Sequence, residues 1–265
     1  MISLDDAISY LANEWCRSGV EKGDTILLHS NIKRTLLKMR KHSIKVMPEH
    51  VLESFKVALG TKGTLLLPLF NFNFPDTKYF SINGTPSQMG VLSEIGRLSE
   101  SSVRTGHPIY SFAVLGHKAE LFKNVDNQSG YGSDSPFALL RALNGKIASL
   151  DLEDQQSMTF YHHIEEMNQV SYRYFKDFSG TYCDSYGTQS EKTYKLYVRD
   201  KEKGVRTHVN PAGELMWDQG LYNGDRPGWS TGLRTISAQD MYTFVTKIIE
   251  QGEAEGLLFK FGKSN

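Results

Sequence analysis

"GDTILLHS", residues 23–30, decides how the rest of the chain is read. Thr25 to Leu28 form a short run with no polar alternation, the pattern of a strand covered on both faces, and the run ends in a polar turn. Upstream, "SLDDAISYLANEWCRSG" (3–19) has Ser3 as an N-cap, Ile8, Leu11 and Trp15 on one face, and Gly19 as a stop, which predicts an amphipathic helix. Downstream, "PEHVLESFKVALG" (48–60) is a second capped helix and "GTLLLPLF" (63–70) a second buried strand. The alternation continues through the helix "QMGVLSEIGRLSE", the strands "YSFAVLG" and "KIASLDL", and a helix over 157–173. After about residue 178 "TYKLYVRD" reads as an exposed strand, "LYNGDRPGWSTGLRT" as a Gly-rich surface loop, and "SAQDMYTFVTKIIEQGEAEG" as a closing helix. Helices alternating with buried strands predict an α/β sandwich. No repeat or linker divides the 265 residues, so one domain is expected over 1–265, with a decorated C-terminal third.

Thirty basic and thirty acidic residues cancel, which argues against a nucleic-acid or anionic-membrane partner held by bulk charge. Cys16 and Cys183 lack CxxC spacing and suit reduced thiols in a cytoplasmic protein. The N-terminus carries acidic residues and no basic-then-apolar leader, and no stretch approaches the roughly 18 apolar residues of a membrane span.

Ligands bind α/β sheets at strand ends. After "LLHS", the turn offers Ser30 and Asn31 beside Lys33 and Arg34, which suits a phosphate or an ordinary capped turn. No Walker or dinucleotide fingerprint is present. The second place is "SMTFYHHIEEMNQVSYR", residues 157–173. On a helix, Phe160, Ile164 and Met167 form the apolar face, His163 flanks it, and His162 points away toward Glu165 and Glu166 one turn on. A carboxylate at that spacing holds one ring nitrogen as a donor and leaves the other to accept a proton, so His162 is the candidate base. A solvated polar stripe has the same pattern. Adjacent histidines diverge and HExxH is absent, so no metal is expected, although His162 and Glu166 with His107 or His208 form the alternative set.

Six segments in order resemble the aminoglycoside 3-N-acetyltransferases: "KGDTILLHSNIKR", "LGTKGTLLLPLFNF", "TPSQMGVLSEIGR", "VRTGHPIYSFAVLG", "YGSDSPFALL" and "MTFYHHIEE". The resemblance covers about Gly23 to Arg173, with Thr105 where the family usually has serine. It implies an α/β/α sandwich around a mixed sheet and direct transfer of an acetyl group from acetyl-CoA to an amine. His162 would be the base and Glu165 its acid partner. Ser30, Asn31, Lys33, Arg34, Ser111 and Thr159 would lie on the CoA side, and His107, Asp154 and Glu166 on the acceptor side. For Thr159 a helix cap is the plainer role, and for His107 a buried hydrogen-bonded ring. Ser111, Ser135 and Arg104 divide evenly between turn hydrogen bonds and CoA contacts.

Ahead of His162 this chain reads "DLEDQQSMT", unlike the drug-modifying members, and resembles relatives that acylate amino sugars for surface polysaccharides. Asp151, Glu153 and Asp154 would pair with a cationic sugar or form a solvated loop. Trp217, Tyr222 and Trp229 offer faces for a sugar or pins for an irregular loop. The partner expected is a small-molecule amine, and a homo-oligomer is compatible with it. A metal-dependent hydrolase and a silent binding protein are the alternatives.

Overall fold

The computed structural model describes residues 3–41 and 44–262. In chain order the helices are α1 (Leu4–Arg17), α2 (Lys33–Lys41), α3 (Pro48–Leu59), α4 (Phe74–Thr77), α5 (Val91–Leu98), α6 (Pro136–Ala142), α7 (Asp154–Ser157), α8 (Phe160–Met167), α9 (Asn210–Asp218) and α10 (Ala238–Glu250). The strands are β1 (Thr25–Ser30), β2 (Thr64–Pro68), β3 (Tyr79–Ser81), β4 (Val103–Arg104), β5 (Phe112–Gly116), β6 (Lys146–Leu150), β7 (Arg173–Cys183), β8 (Gln189–Arg199), β9 (Val205–Thr207), β10 (Asn223–Gly224), β11 (Leu233–Ser237) and β12 (Phe259–Phe261).

A seven-stranded sheet in the order β10–β11–β6–β1–β2–β5–β4 forms the centre. β6, β1 and β2 run parallel, while β11, β5 and β4 pair antiparallel, so the sheet is mixed. The apolar runs of the central strands follow from burial on both faces. Within β1, Ile26 and Leu28 join a core with α1 and α3, whereas Leu27 joins a core with α6, α8 and α10. On the first face α1 starts at Ser3, whose hydroxyl accepts from the Asp6 amide while Asp6 accepts from the Ser3 amide. Trp15 then stacks on Phe55 of α3 with ring centroids 4.7 Å apart, and its indole donates to Ser54.

The second core is capped by a smaller sheet, β3–β7–β8, whose long hairpin pairs Arg173 with Arg199 at one end and Cys183 with Gln189 at the other. The strand read as exposed lies in β8 and is half covered: Tyr194, Leu196 and Tyr197 are buried. The expected surface loop over 221–235 is also revised. Its end forms β11, which pairs with β6 inside the central sheet and buries Leu233, Arg234 and Thr235. The helix expected over 157–173 breaks at Met158, whose ψ of 67° leaves the helical region, and it ends by Asn168. Among the described residues no helix is long and apolar enough to cross a membrane.

Candidate active site

β1 and β6 lie side by side and parallel, with Ser30 opposite Leu150, and the Asn31 amide donates to the Leu150 carbonyl at 2.8 Å. The turn after β1 and the α7–α8 segment after β6 therefore leave the sheet at the same edge, the carboxyl ends of two neighbouring strands.

α8 brings His162 and Glu165 onto one turn. His162 Nδ1 is 3.1 Å from Glu165 Oε2, and Arg173 Nη2, from the first residue of β7, is 2.7 Å from the same oxygen. Glu165 and Arg173 are almost wholly covered, whereas about a fifth (21%) of the His162 side chain is open to solvent. With its hydrogen on Nδ1, His162 donates to the carboxylate and keeps Nε2 as an acceptor. Arg173 Nη2 lies 2.9 Å from the same ring nitrogen, and a guanidinium only donates, so the other tautomer has a partner as well: Nδ1 then accepts from Arg173. Burial lowers the affinity of the His162 ring for a proton, and Arg173 lowers it further, while Glu165 opposes both; the net effect holds the ring below the ordinary histidine value. Burial alone would push the Glu165 carboxyl up, but Arg173 and His162 outweigh it and hold it below the usual carboxylate range. The Tyr131 ring lies against His162, with centroids 5.1 Å apart. A neutral imidazole with a buried anion behind it can act as a general base.

The second histidine is different. His163 has no exposed surface, its Nδ1 donates to the Tyr131 carbonyl at 2.7 Å, and its ring packs between Phe137 and Phe160. Glu166 turns away from His162 and accepts from Ser129 Oγ at 2.7 Å. The His162–Glu166 ligand pair of the hydrolase alternative therefore does not form. Among the described residues no three His, Cys, Asp or Glu side chains come together as a metal-binding group. Burial raises the Glu166 carboxyl above its ordinary value and covers it, so in this geometry it offers little to an acceptor.

Several expected ligand contacts are used internally. His107 is fully buried, and its Nδ1 accepts from the amides of Ile109 and Tyr110, so it supports its own turn and cannot form a pocket wall. Ser111 is equally buried, held between the Arg104 guanidinium and the Leu69 carbonyl, which removes it from the CoA side. Ser135 caps α6 through the Ala138 amide. Arg34 gives its Nε to both oxygens of Asp151 and its terminal nitrogens to the carbonyls of Ser230 and Trp229, so its guanidinium is already committed. Asp154 is buried and accepts from Arg234, Tyr161 and Tyr222, so its charge is already paired within the protein. Thr159 does not cap α8; its hydroxyl, half exposed, bonds the Ser157 carbonyl. Asn31 and Lys33 are exposed and Ser30 is half-buried at the turn.

Of the three tail aromatics, Tyr222 is pinned on Asp154 and Trp217 packs at a tilt against Tyr222, while Trp229 is 71% exposed. Trp217 and Trp229 line a surface cavity of about 220 Å³ with Glu153, Asp154, Glu214, Arg226 and Arg234, in which Arg226 pairs with Glu214 and lies over the Trp217 ring. Arg173 and Tyr131 escaped the sequence reading. Arg173 closes the same 157–173 stretch, but it acts from a strand after a turn, outside helical spacing.

The model of the family described as aminoglycoside 3-N-acetyltransferase matches residues 27–250. Aminoglycoside N(3)-acetyltransferase VII of Streptomyces paromomycinus is 28% identical over 188 residues, which span 63% of this chain and 63% of that protein. The structure of AAC-IIIb with CoASH superposes at a TM-score of 0.76, with 20% identity, over 97% of this chain and 98% of that one. Sisomicin-bound AAC-VIa does so at 0.74, with 19% identity, over 92% and 98%. The chain belongs to the aminoglycoside 3-N-acetyltransferase family.

Proposed function

We propose that this member of the family is a cytoplasmic enzyme that transfers the acetyl group of acetyl-CoA directly to an amine on a sugar ring, with His162 as general base and Glu165 as its orienting carboxylate. The observation that carries this reading is the 3.1 Å pairing of a partly open imidazole with a buried carboxylate on α8. A sugar amine with a pKa of about 8 or more is mostly protonated at neutral pH and in that form cannot attack a thioester. His162 Nε2 takes the proton as the nitrogen attacks the carbonyl carbon. The tetrahedral intermediate then collapses, the C–S bond breaks, and the CoA thiolate receives a proton. General-base help of this kind is worth about 10² to 10⁴ in rate.

For the donor, the reading draws on the CoASH-bound neighbour and on the open turn at Ser30, Asn31 and Lys33, with half-exposed Thr159 on the segment that follows the neighbouring strand β6 as a further candidate. For the acceptor, it draws on the sisomicin-bound neighbour and on the cavity with Glu153 and Trp229, where a carboxylate and an exposed aromatic face suit a cationic sugar; Glu214 and the Trp217 ring in the same cavity are taken by Arg226. Both an aminoglycoside and a glycan-precursor amino sugar present that chemistry. The unusual stretch ahead of His162 favours the amino sugar, through Glu153, because Asp151 and Asp154 are occupied. The test is release of free thiol from acetyl-CoA over kanamycin-type drugs and nucleotide-linked amino sugars. Silence with every amine, at saturating acetyl-CoA, would sink the reading. A higher kcat/KM on a drug than on every amino sugar would overturn the preference alone.

A further inference from the structure

Arg173 is held from two sides. Its Nη1 donates to the Tyr197 carbonyl on β8 at 3.0 Å, so the guanidinium is anchored to the smaller sheet. Its Nη2 then reaches into the site, 2.7 Å from Glu165 Oε2 and 2.9 Å from His162 Nδ1. With the 3.1 Å separation of His162 and Glu165, the three atoms form a closed triangle. A buried carboxylate without a cation is costly and tends to take up a proton. Arg173 Nη2 is already placed to donate to Nδ1, so the geometry does not by itself select a tautomer; it does set an anion against the side of the ring that becomes charged when His162 takes a proton. One guanidinium spans a strand carbonyl and the carboxylate at once, which holds that anion in place.

We infer that Arg173 is a positioning residue for the transfer: it fixes Glu165 as an anion beside His162, where the carboxylate stabilises the imidazolium formed when the base takes its proton. The inference rests on His162 being the base. The charged and titratable groups facing His162 are Glu165 on its own helix, Arg173 on β7, Arg199 on β8 and the Tyr131 ring; Glu165 also faces Tyr172. Arg173 and Arg199 disfavour a protonated ring and Glu165 favours it.

The experiment uses the full chain labelled with ¹⁵N-histidine, with the His162 signal assigned by its loss in His162→Ala, alongside the pH profile of kcat/KM. Arg173→Gln should raise the pH at which Glu165 ionises and so move the His162 midpoint away from its native value. Its kcat should fall by about 10- to 100-fold with KM for acetyl-CoA within about twofold. Arg173→Lys keeps the charge but not the fork, so its midpoint should stay while kcat falls by roughly tenfold. A folded Arg173→Gln with the native midpoint and kcat overturns the inference. If that variant does not fold, Arg173→Lys with native kcat overturns it. Activity retained in His162→Ala removes the base reading itself, whereas an inactive His162→Ala with unaffected Arg173 variants removes only this one.

Discussion

Arg34 Nε stands 2.9 Å from both carboxylate oxygens of Asp151, and the pair joins the start of α2 to the turn after β6. Asp151 also accepts from the Gly228 amide, and Arg34 holds the carbonyls of Ser230 and Trp229. Two residues that the sequence assigned to different ligands thus satisfy each other and tie down the 228–230 loop. Gly232 makes this possible. Its φ of +70° suits glycine, and a Cβ there would collide with both Asp151 and Arg34.

Removing either partner should therefore act on stability and the loop. Arg34→Ala leaves a mostly buried Asp151 unpaired and should cost roughly 1 to 3 kcal/mol, read as a lower urea midpoint. Gly232→Ala should destabilise similarly. An Arg34→Ala protein of native stability would contradict the pairing.

The helix–strand frame was legible because each central strand is an unbroken apolar run between capped helices. β11 was not, because its buried Arg234 and Thr235 interrupt that run after a Gly-rich turn; only pairing with β6 makes it a strand. Helical angles put His162 away from the apolar face and His163 beside it, and in the structure His162 is partly open while His163 is buried. The alternative of a solvated face around His162 does not hold, because Arg173 pairs with Glu165 and Ser129 bonds Glu166, and both carboxylates are buried. The Ser129 contact is long-range, and Arg173 acts from a strand outside helical spacing, so neither is written in the local helical pattern. For the same reason the sequence did not separate carboxylates open to a ligand from those, such as Asp154, that are satisfied by distant donors.

With Arg34 committed, Lys33 is the cation left open at the turn after β1. If it meets the ribose phosphate of CoA, Lys33→Ala should weaken CoA several-fold more than dephospho-CoA, and Arg34→Ala should not discriminate between them. Calorimetric titration of both ligands checks this. Equal losses for the two in Lys33→Ala would remove the phosphate assignment.

Acid should unfold the protein through its buried imidazoles. Burial lowers His29 to about 3, and His107 and His163 to about 4, from an ordinary 6.5. Between those values the unfolded chain binds more protons, so stability is full above about pH 6.5 and falls as pH drops toward 4. Each ring contributes about 1.4 kcal/mol per pH unit in that window. Glu166 acts with the opposite sign, because its folded value is raised, and one carboxyl does not offset three rings. Urea unfolding at pH 7.5 and 5.5 should differ by on the order of 2 to 4 kcal/mol. A flat profile would mean that these rings are not held neutral.

Trp229 tests the acceptor side. Its ring is exposed and lines the 220 Å³ cavity, so Trp229→Ala should leave stability nearly unchanged. KM for the sugar amine should rise by roughly 3- to 10-fold while KM for acetyl-CoA stays level. A rise confined to acetyl-CoA would place the donor, not the sugar, against this loop.

The two histidines give the sharpest contrast. His162→Ala removes the proton acceptor and should lose about 10² to 10⁴ in kcat, with little change in CoA affinity. Glu165→Gln should lose less in rate, because the amide oxygen still accepts from Nδ1–H but no longer stabilises the charged ring. His163→Ala should instead cost roughly 2 kcal/mol, since it empties a site between Phe137 and Phe160 and leaves the Tyr131 carbonyl without its donor. The Tyr131 ring also packs on His162, so a several-fold loss of rate in His163→Ala is compatible with a displaced Tyr131. A loss as deep as that of His162→Ala is not. The acid limb of kcat/KM should lie below the ordinary histidine value, because burial and Arg173 hold His162 down. If His163→Ala abolishes the rate while His162→Ala keeps it, the base sits one residue later and Glu165 has no part in orienting it.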